Sequence, residues 1–237
     1  MKLAIIDKRF PEAAKRQLML LGFRIAEIPP ANNIPVPMAS HPDMLMARLG
    51  DNIVTTADFC DTAAYIFSDI REAKPDVKIH FTDENFGEEY PHDAILNVLI
   101  IGKFAFMKCD TVSRYLLSLA KELGYEIIDV KQGYPACTVL PLGDSAAITS
   151  DKGMARAMRS VGIDVTVISD GGILLPPYEY GFIGGAAGVL DGTVYFIGDP
   201  KTHTDGKIIL DAITRHGFRQ EKLCDGPLYD LGRIIFI

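Results

Sequence analysis

No stretch of this sequence approaches the roughly 20 consecutive apolar residues that a membrane-spanning helix requires. The first ten residues do not read as a secretory leader either, because an apolar run of about four residues is followed at once by charge. Basic excess is also missing. With 24 Lys and Arg against 31 Asp and Glu, the net charge is −7. That balance argues against nucleic acid or an anionic membrane as the main partner and leaves room for a cationic ligand. Cysteine is sparse: Cys60, Cys109, Cys137 and Cys224 show neither C-x-x-C nor Cys/His ligand spacing. Such a pattern predicts reduced thiols in a cytoplasmic protein, with no disulfide frame, no metal and no cofactor.

What the chain has in abundance is repetition. Short apolar runs end near Asp7, Asp58, Gly102, Asp151 and Asp199, at steps of 51, 44, 49 and 48 residues. After each comes a helical stretch, then a second apolar run. The helices are read at Pro11–Leu21, Asp61–Glu72, Thr111–Leu123, Lys152–Ser160 and Gly206–Arg215. Four of them stop at a glycine: Gly22, Gly124, Gly162 and Gly217, the residue favoured just past a helix end. A fixed period of this length indicates one supersecondary unit used repeatedly, each copy burying its neighbour's apolar face.

Several units carry an additional strand in front, joined by a tight turn. Met44–Asp51 and Cys137–Asp144 both close on Leu-Gly-Asp, and Leu190-Asp191-Gly192 supplies an Asp-Gly hairpin signal. The first unit lacks this strand, whereas an unused one, Gly232–Ile237, stands at the C-terminal end. The reading is closure, the last strand completing the first unit. The expected units are 1–28 completed by 226–237, 38–81, 90–130, 135–168 and 181–224, in a single domain over 1–237. Pro29–Pro37 and Ser169–Tyr180 read as connecting loops. A doubly wound Rossmann-like sheet gives no role to the hairpin strands or to the constant spacing.

Five such units with a wrap-around strand resemble the pentein fold, the five-bladed α/β propeller of the guanidine-modifying enzymes. Those are the arginine and agmatine deiminases, dimethylarginine dimethylaminohydrolase and the amidinotransferases. The same architecture serves non-enzymatic ribosome anti-association factors. Gly181–Gly188 and Pro227–Gly232 are similar to a bacterial branch of pentein-like proteins without an assigned reaction. The resemblance implies an axial pocket for a small polar or cationic ligand, an amine or guanidinium. It leaves two functions open: a hydrolase or amidinotransferase-like enzyme, or a protein that only binds.

Pentein enzymes pair a histidine with acids, and Ser40-His41-Pro42-Asp43 precedes the leading strand of unit two. A carboxylate two residues away can orient an imidazole and raise its basicity, so His41 and Asp43 form a candidate acid/base pair. The alternative is that His41 caps the turn before Pro42. Pro91-His92-Asp93 recurs at the comparable place in unit three, either as ligand-binding residues or as a surface turn. The enzymes also attack through a cysteine on the closing strand. Here the closing segment holds Asp230 but no cysteine at that place. Cys224 and Cys137 are the remaining nucleophile candidates, each otherwise a small buried apolar residue. Gly181–Gly188 lacks a P-loop Lys-Ser/Thr and precedes a strand, so it is no phosphate cradle. Gly184 and Gly185 instead let backbone approach a ligand or a neighbouring strand near the axis. Tyr178-Glu179-Tyr180 reads as a lid suited to a cation or as a packed loop. The expectation is one cavity uniting His41, Asp43, Asp230, Gly184 and Gly185.

Overall fold

The structure is a computed structural model that describes residues 2–237. In chain order it begins with strand β1 (Leu3–Asp7), helix α1 (Glu12–Leu20) and strand β2 (Arg24–Ile28). Next come the one-turn helix α2 (Pro42–Leu45), β3 (Ala47–Leu49), β4 (Asn52–Thr56), helices α3 (Ala57–Thr62) and α4 (Ala64–Ala73), and β5 (Lys78–Thr82). The third stretch is β6 (Leu99–Ile101), β7 (Phe104–Met107), α5 (Arg114–Glu122) and β8 (Glu126–Asp129). The fourth is α6 (Pro135–Thr138), β9 (Val139–Leu142), β10 (Ala146–Thr149), α7 (Lys152–Ser160) and β11 (Asp164–Val167), followed by β12 (Ile173–Leu174). The last is β13 (Ala187–Leu190), β14 (Thr193–Phe196), α8 (Gly206–Arg215), β15 (Arg219–Lys222), β16 (Leu228–Tyr229) and β17 (Ile235–Phe236).

Among the described residues these strands form five three-stranded sheets of one plan. In each, a hairpin strand runs antiparallel to a central strand, and the strand after the helix pairs parallel on its other side. The first sheet follows the plan through wrap-around. β17 pairs antiparallel with β1, Ala4 opposite Phe236, and β2 pairs parallel, Leu3 opposite Arg24. Reciprocal bonds between Leu3 and Ile237 extend this pairing.

Amphipathic spacing sets the helices on the sheets. Leu116, Leu119 and Ala120 of α5, Met154, Ala155 and Met158 of α7, and Ile209, Ala212 and Ile213 of α8 are buried at three- and four-residue steps. Gly22, Gly124, Gly162 and Gly217 all adopt the left-handed conformation, with φ of 88°, 82°, 87° and 76°. At these positions a Cβ would strain the backbone without touching anything.

Three expectations need correction. Val98–Ile101 is not the central strand of the third unit. Its last three residues form the hairpin strand β6, and Gly102 (φ 55°) turns the chain into the true central strand, β7. The leading segments of units two and four are not strands throughout: Pro42 and Pro135 each start a helical turn, so Cys137 lies on α6. Ser169–Tyr180 is not all loop, because β12 pairs parallel with β16. Among the described residues, no helix is long and apolar enough to cross a membrane.

Candidate functional site

The one-turn helices α2 and α6 are built alike. Each begins at proline, and its last carbonyl accepts a buried threonine hydroxyl from the adjoining central strand. Thr55 Oγ1 donates to the Leu45 carbonyl at 2.9 Å, and Thr149 Oγ1 to that of Thr138 at 2.8 Å. Between the two turns stands Asn97, fully buried. Its amide nitrogen donates to the Asp43 carbonyl (3.2 Å) and to Cys137 Sγ (3.1 Å), while its oxygen accepts from the Ala136 amide at 2.8 Å. Sequence reasoning missed Asn97. The available signal was a lone amide inside an otherwise apolar run, since a buried amide needs partners.

Ahead of these turns opens a cavity of about 330 Å³ lined by His41, Cys137, Asp230, Tyr134 and the Tyr178–Tyr180 segment, together with Met38, Leu175 and Phe182. His41 is almost wholly buried, and its Nε2 has no hydrogen-bond partner. The carboxylate within 4 Å of it is not Asp43 but Asp7, whose Oδ2 lies 3.8 Å from Nε2. Asp7 is already committed: Arg9 donates to it from its backbone amide (2.7 Å), Nε (3.0 Å) and Nη2 (2.6 Å). Burial drives the His41 pKa down to about 3, with Asp7 opposing and Arg9 assisting. The imidazole is therefore neutral. The expected His41–Asp43 pair does not form, because Asp43 opens onto a different cavity, of about 350 Å³. The capping alternative describes the backbone of His41, which precedes α2 and accepts the Met44 and Leu45 amides (3.1 and 3.3 Å), but its side chain makes no cap bond.

Asp230 also lines the first cavity. Its Oδ2 accepts the Phe182 amide (2.8 Å) and its Oδ1 the Gly232 amide (3.1 Å). Burial first, then the nearby Asp43, raise its pKa to about 7 against these two bonds. Gly184 and Gly185 serve this close packing. A Cβ on Gly184 would sit 2.4 to 2.6 Å from the carbonyl oxygens of Ala136, Val139 and Cys137, and one on Gly185 only 1.8 Å from Asp230 Oδ1. Of the two roles read for them, these glycines take the approach to neighbouring backbone and side chain; neither lines the cavity. Asp93 is buried and reaches the site through Tyr134, whose hydroxyl donates to its Oδ2 at 2.8 Å. His92 is exposed on the turn before it and lines neither cavity.

The two cysteine candidates part company. Cys137 lines the cavity beside His41 and Asp230, but burial and the carboxyl groups of Asp43 and Asp230 push its thiol well above its ordinary range. Cys224 lies beyond β15, packed against the apolar cluster around Leu223, and lines neither cavity; burial raises its thiol too. A thiol reacts as its thiolate, and each pKa unit above ambient pH removes about nine-tenths of that form. Native Cys137 is therefore expected to resist iodoacetamide at least about ten-fold more than an unperturbed thiol. Peptide mapping after timed labelling reads this out. Cys137 appearing first among the four labelled cysteines would contradict it.

The model of a family of unknown function, DUF6873, matches residues 5–235, and the chain belongs to that family. No match was found among curated proteins. Solved structures do match. SxtG, an amidinotransferase from Microseira wollei in the saxitoxin biosynthetic pathway, is 13% identical with a TM-score of 0.55 over 93% of this chain and 87% of its own. DDAH from Pseudomonas aeruginosa, complexed with citrulline, is 10% identical with a TM-score of 0.58 over 93% and 90%. A C. jejuni agmatine deiminase is 8% identical with a TM-score of 0.51 over 93% and 75%. At such identities the likeness is one of fold, and that fold is the pentein fold of the guanidine-modifying enzymes.

Proposed function

We propose that this member of the DUF6873 family is a single pentein domain over residues 1–237, its five sheets arranged as propeller blades, that binds a small organic cation in the Asp230 cavity. The observation that carries the reading is a buried carboxylate, Asp230, in the wall of a cavity also lined by Tyr134, Tyr178 and Tyr180 with Glu179 among them. Aromatic faces and a desolvated carboxylate together favour an ammonium or guanidinium. A phosphate would meet Asp230, Glu179 and a neutral His41 instead.

Binding fits the groups better than covalent chemistry does. Activating a nucleophile takes a lowered pKa or an adjacent base. Cys137 has its thiol raised by burial and by two acids, and no cysteine stands on the closing segment. A second reading, a guanidine-modifying hydrolase or transferase working through Cys137, is favoured by the shared lining of thiol, imidazole and carboxyl group. Calorimetric titration with agmatine, arginine and inorganic phosphate tests the first reading. Saturable binding of the two cations and none of phosphate is expected; tighter binding of phosphate would overturn it. Release of ammonia or urea from either cation, abolished by Cys137→Ser, would replace it with the second.

A further inference from the structure

The cavity of about 350 Å³ lies among the hairpin strands β3, β6, β9, β13 and β17, and it has no part in the reading above. Three charged side chains line it: Asp43, Arg48 and Arg233. Both Asp43 carboxyl oxygens are buried without a hydrogen-bond partner, and the residue is only 4% exposed. Arg48 donates from Nε to the Gly50 carbonyl (3.0 Å) and from Nη1 to that of Phe236, leaving three of its five N–H groups unused by protein. Arg233 donates from Nη2 to the carbonyls of Ala136 (2.9 Å) and Val139 (3.0 Å), which likewise leaves three. Among the described residues, neither guanidinium has a carboxylate within 4 Å.

Asp43 and Arg233 offset each other's burial only in part, and charges of both signs without a close ion pair in one partly buried cavity are costly unless a ligand completes them. Arg233 also sits in the left-handed region (φ 70°), where, unlike asparagine or aspartate, arginine gains no local hydrogen bond. Its amide is held by the Gly185 carbonyl at 2.9 Å, so the backbone fixes the direction of this side chain. The hairpin strand β3 follows α2, so Arg48 lies further along the cavity wall than Asp43, while Arg233 is level with Asp43, whose amide donates to the Gly232 carbonyl at 3.1 Å. A ligand filling this cavity meets a carboxyl group and a guanidinium at one end and a second guanidinium toward the other.

We propose that this second cavity binds an acidic α-amino acid, its two carboxylates on Arg48 and Arg233 and its ammonium on Asp43. Two cations and one anion on the protein then meet two anions and one cation on the ligand, so every charge is paired. Burial raises the Asp43 carboxyl and lowers both guanidinium groups; Asp43 and Arg233 already oppose this for each other and Asp51 does so for Arg48, and opposite ligand charges would act in the same compensating direction.

The test is calorimetric titration of the full chain with L-glutamate and L-aspartate, against glutarate, which lacks the ammonium, and γ-aminobutyrate, which lacks the α-carboxylate. One of the two amino acids should bind at least about ten-fold tighter than either control, the range expected for one charge-assisted contact. Asp43→Asn should bring glutamate down to the level of glutarate, and Arg48→Gln should weaken both by at least about ten-fold. The Asp43→Asn readout is a ratio of two ligands on one protein, so partial loss of folded material does not distort it. Glutarate binding as well as glutamate to the natural protein would overturn the proposal. So would no binding of any of the four up to about 10 mM, or an Arg48→Gln protein with unchanged affinity.

Discussion

Asp230→Asn should weaken binding of agmatine or arginine by about 100-fold or more, since a cation deprived of its buried counter-charge forfeits roughly 3 kcal/mol. The fold should survive. Asp230 accepts one backbone amide on each oxygen. Asparagine keeps one acceptor and turns a donor toward the other amide, at a cost of about 1–3 kcal/mol. Against that, it removes a carboxylate whose ionisation the fold disfavours. With the pKa raised from 3.8 to about 7, the ionised group costs the native state on the order of 4 kcal/mol above neutrality. The loss of binding can therefore be read apart from stability, by calorimetry beside a thermal melt.

The same shift gives the pH dependence its sign. Native Asp230 holds its proton up to about pH 7, whereas the unfolded chain releases it near 3.8. In the free protein, this group's contribution to stability is thus fully present below the unfolded value and is lost as pH rises through the native one. Asp43 and Asp93, both raised by burial, act in the same sense. Cation binding runs the other way, because the ligand needs the ionised carboxylate. Affinity should climb about ten-fold per pH unit toward 7 and level off above it, with a proton released at lower pH. Heats measured at one acidic pH in buffers of different ionisation enthalpy report that proton. An affinity that stays flat between about pH 5 and 8 would remove Asp230 as the counter-charge.

The sequence carried the architecture because its signals are local and recur. Helix-terminating glycines, Leu-Gly-Asp turns and three-four spacing each depend on a few neighbouring residues, and the unmatched C-terminal strand found its place in the first sheet. Unit three misled because β6 and β7 are joined by a two-residue turn, Gly102-Lys103, and Gly102 resembles a strand end as much as a hairpin. The site was less legible. His41 and Asp43 looked like a pair from their spacing, but a helical turn intervenes. His41 is still extended (ψ 118°) and precedes the turn that carries Asp43, so the two side chains leave the chain in different directions. The acid that does approach His41, Asp7, comes from another sheet, and one of the two partners of Asp230, Phe182, lies in a loop 48 residues away. Such contacts leave no trace in spacing. Asp230, Cys137 and the Tyr178–Tyr180 segment were nonetheless all among the residues singled out, and they share one cavity.

Gly185→Ala should be the most damaging small substitution at the site. The added Cβ would lie 1.8 Å from Asp230 Oδ1 and 2.5 Å from its Cγ, closer than such contacts ever come. Nothing nearby is free to yield. The Gly185 amide donates to the Cys137 carbonyl at 3.1 Å, and its own carbonyl accepts from Leu231 (3.1 Å) and Arg233 (2.9 Å). Asp230 is pinned in turn by the Phe182 and Gly232 amides. Overpacking with both sides fixed should exceed about 3 kcal/mol. At this chain length that is a fall in Tm of roughly 6–12 °C. Gly192→Ala is the control. Its φ of 69° is foreign to alanine's preferences, as that of Gly185 is not, but its Cβ meets nothing within 4 Å, so only the conformational penalty of about 1–2 kcal/mol applies. A double-mutant cycle separates contact from backbone. Asp230→Ala deletes the atoms struck by the new methyl, so adding it to Gly185→Ala should restore much of the lost stability, with a coupling of about 1–3 kcal/mol. Strict additivity in that cycle would mean that the glycine answers to the backbone, and that Asp230 is not held where the binding reading needs it.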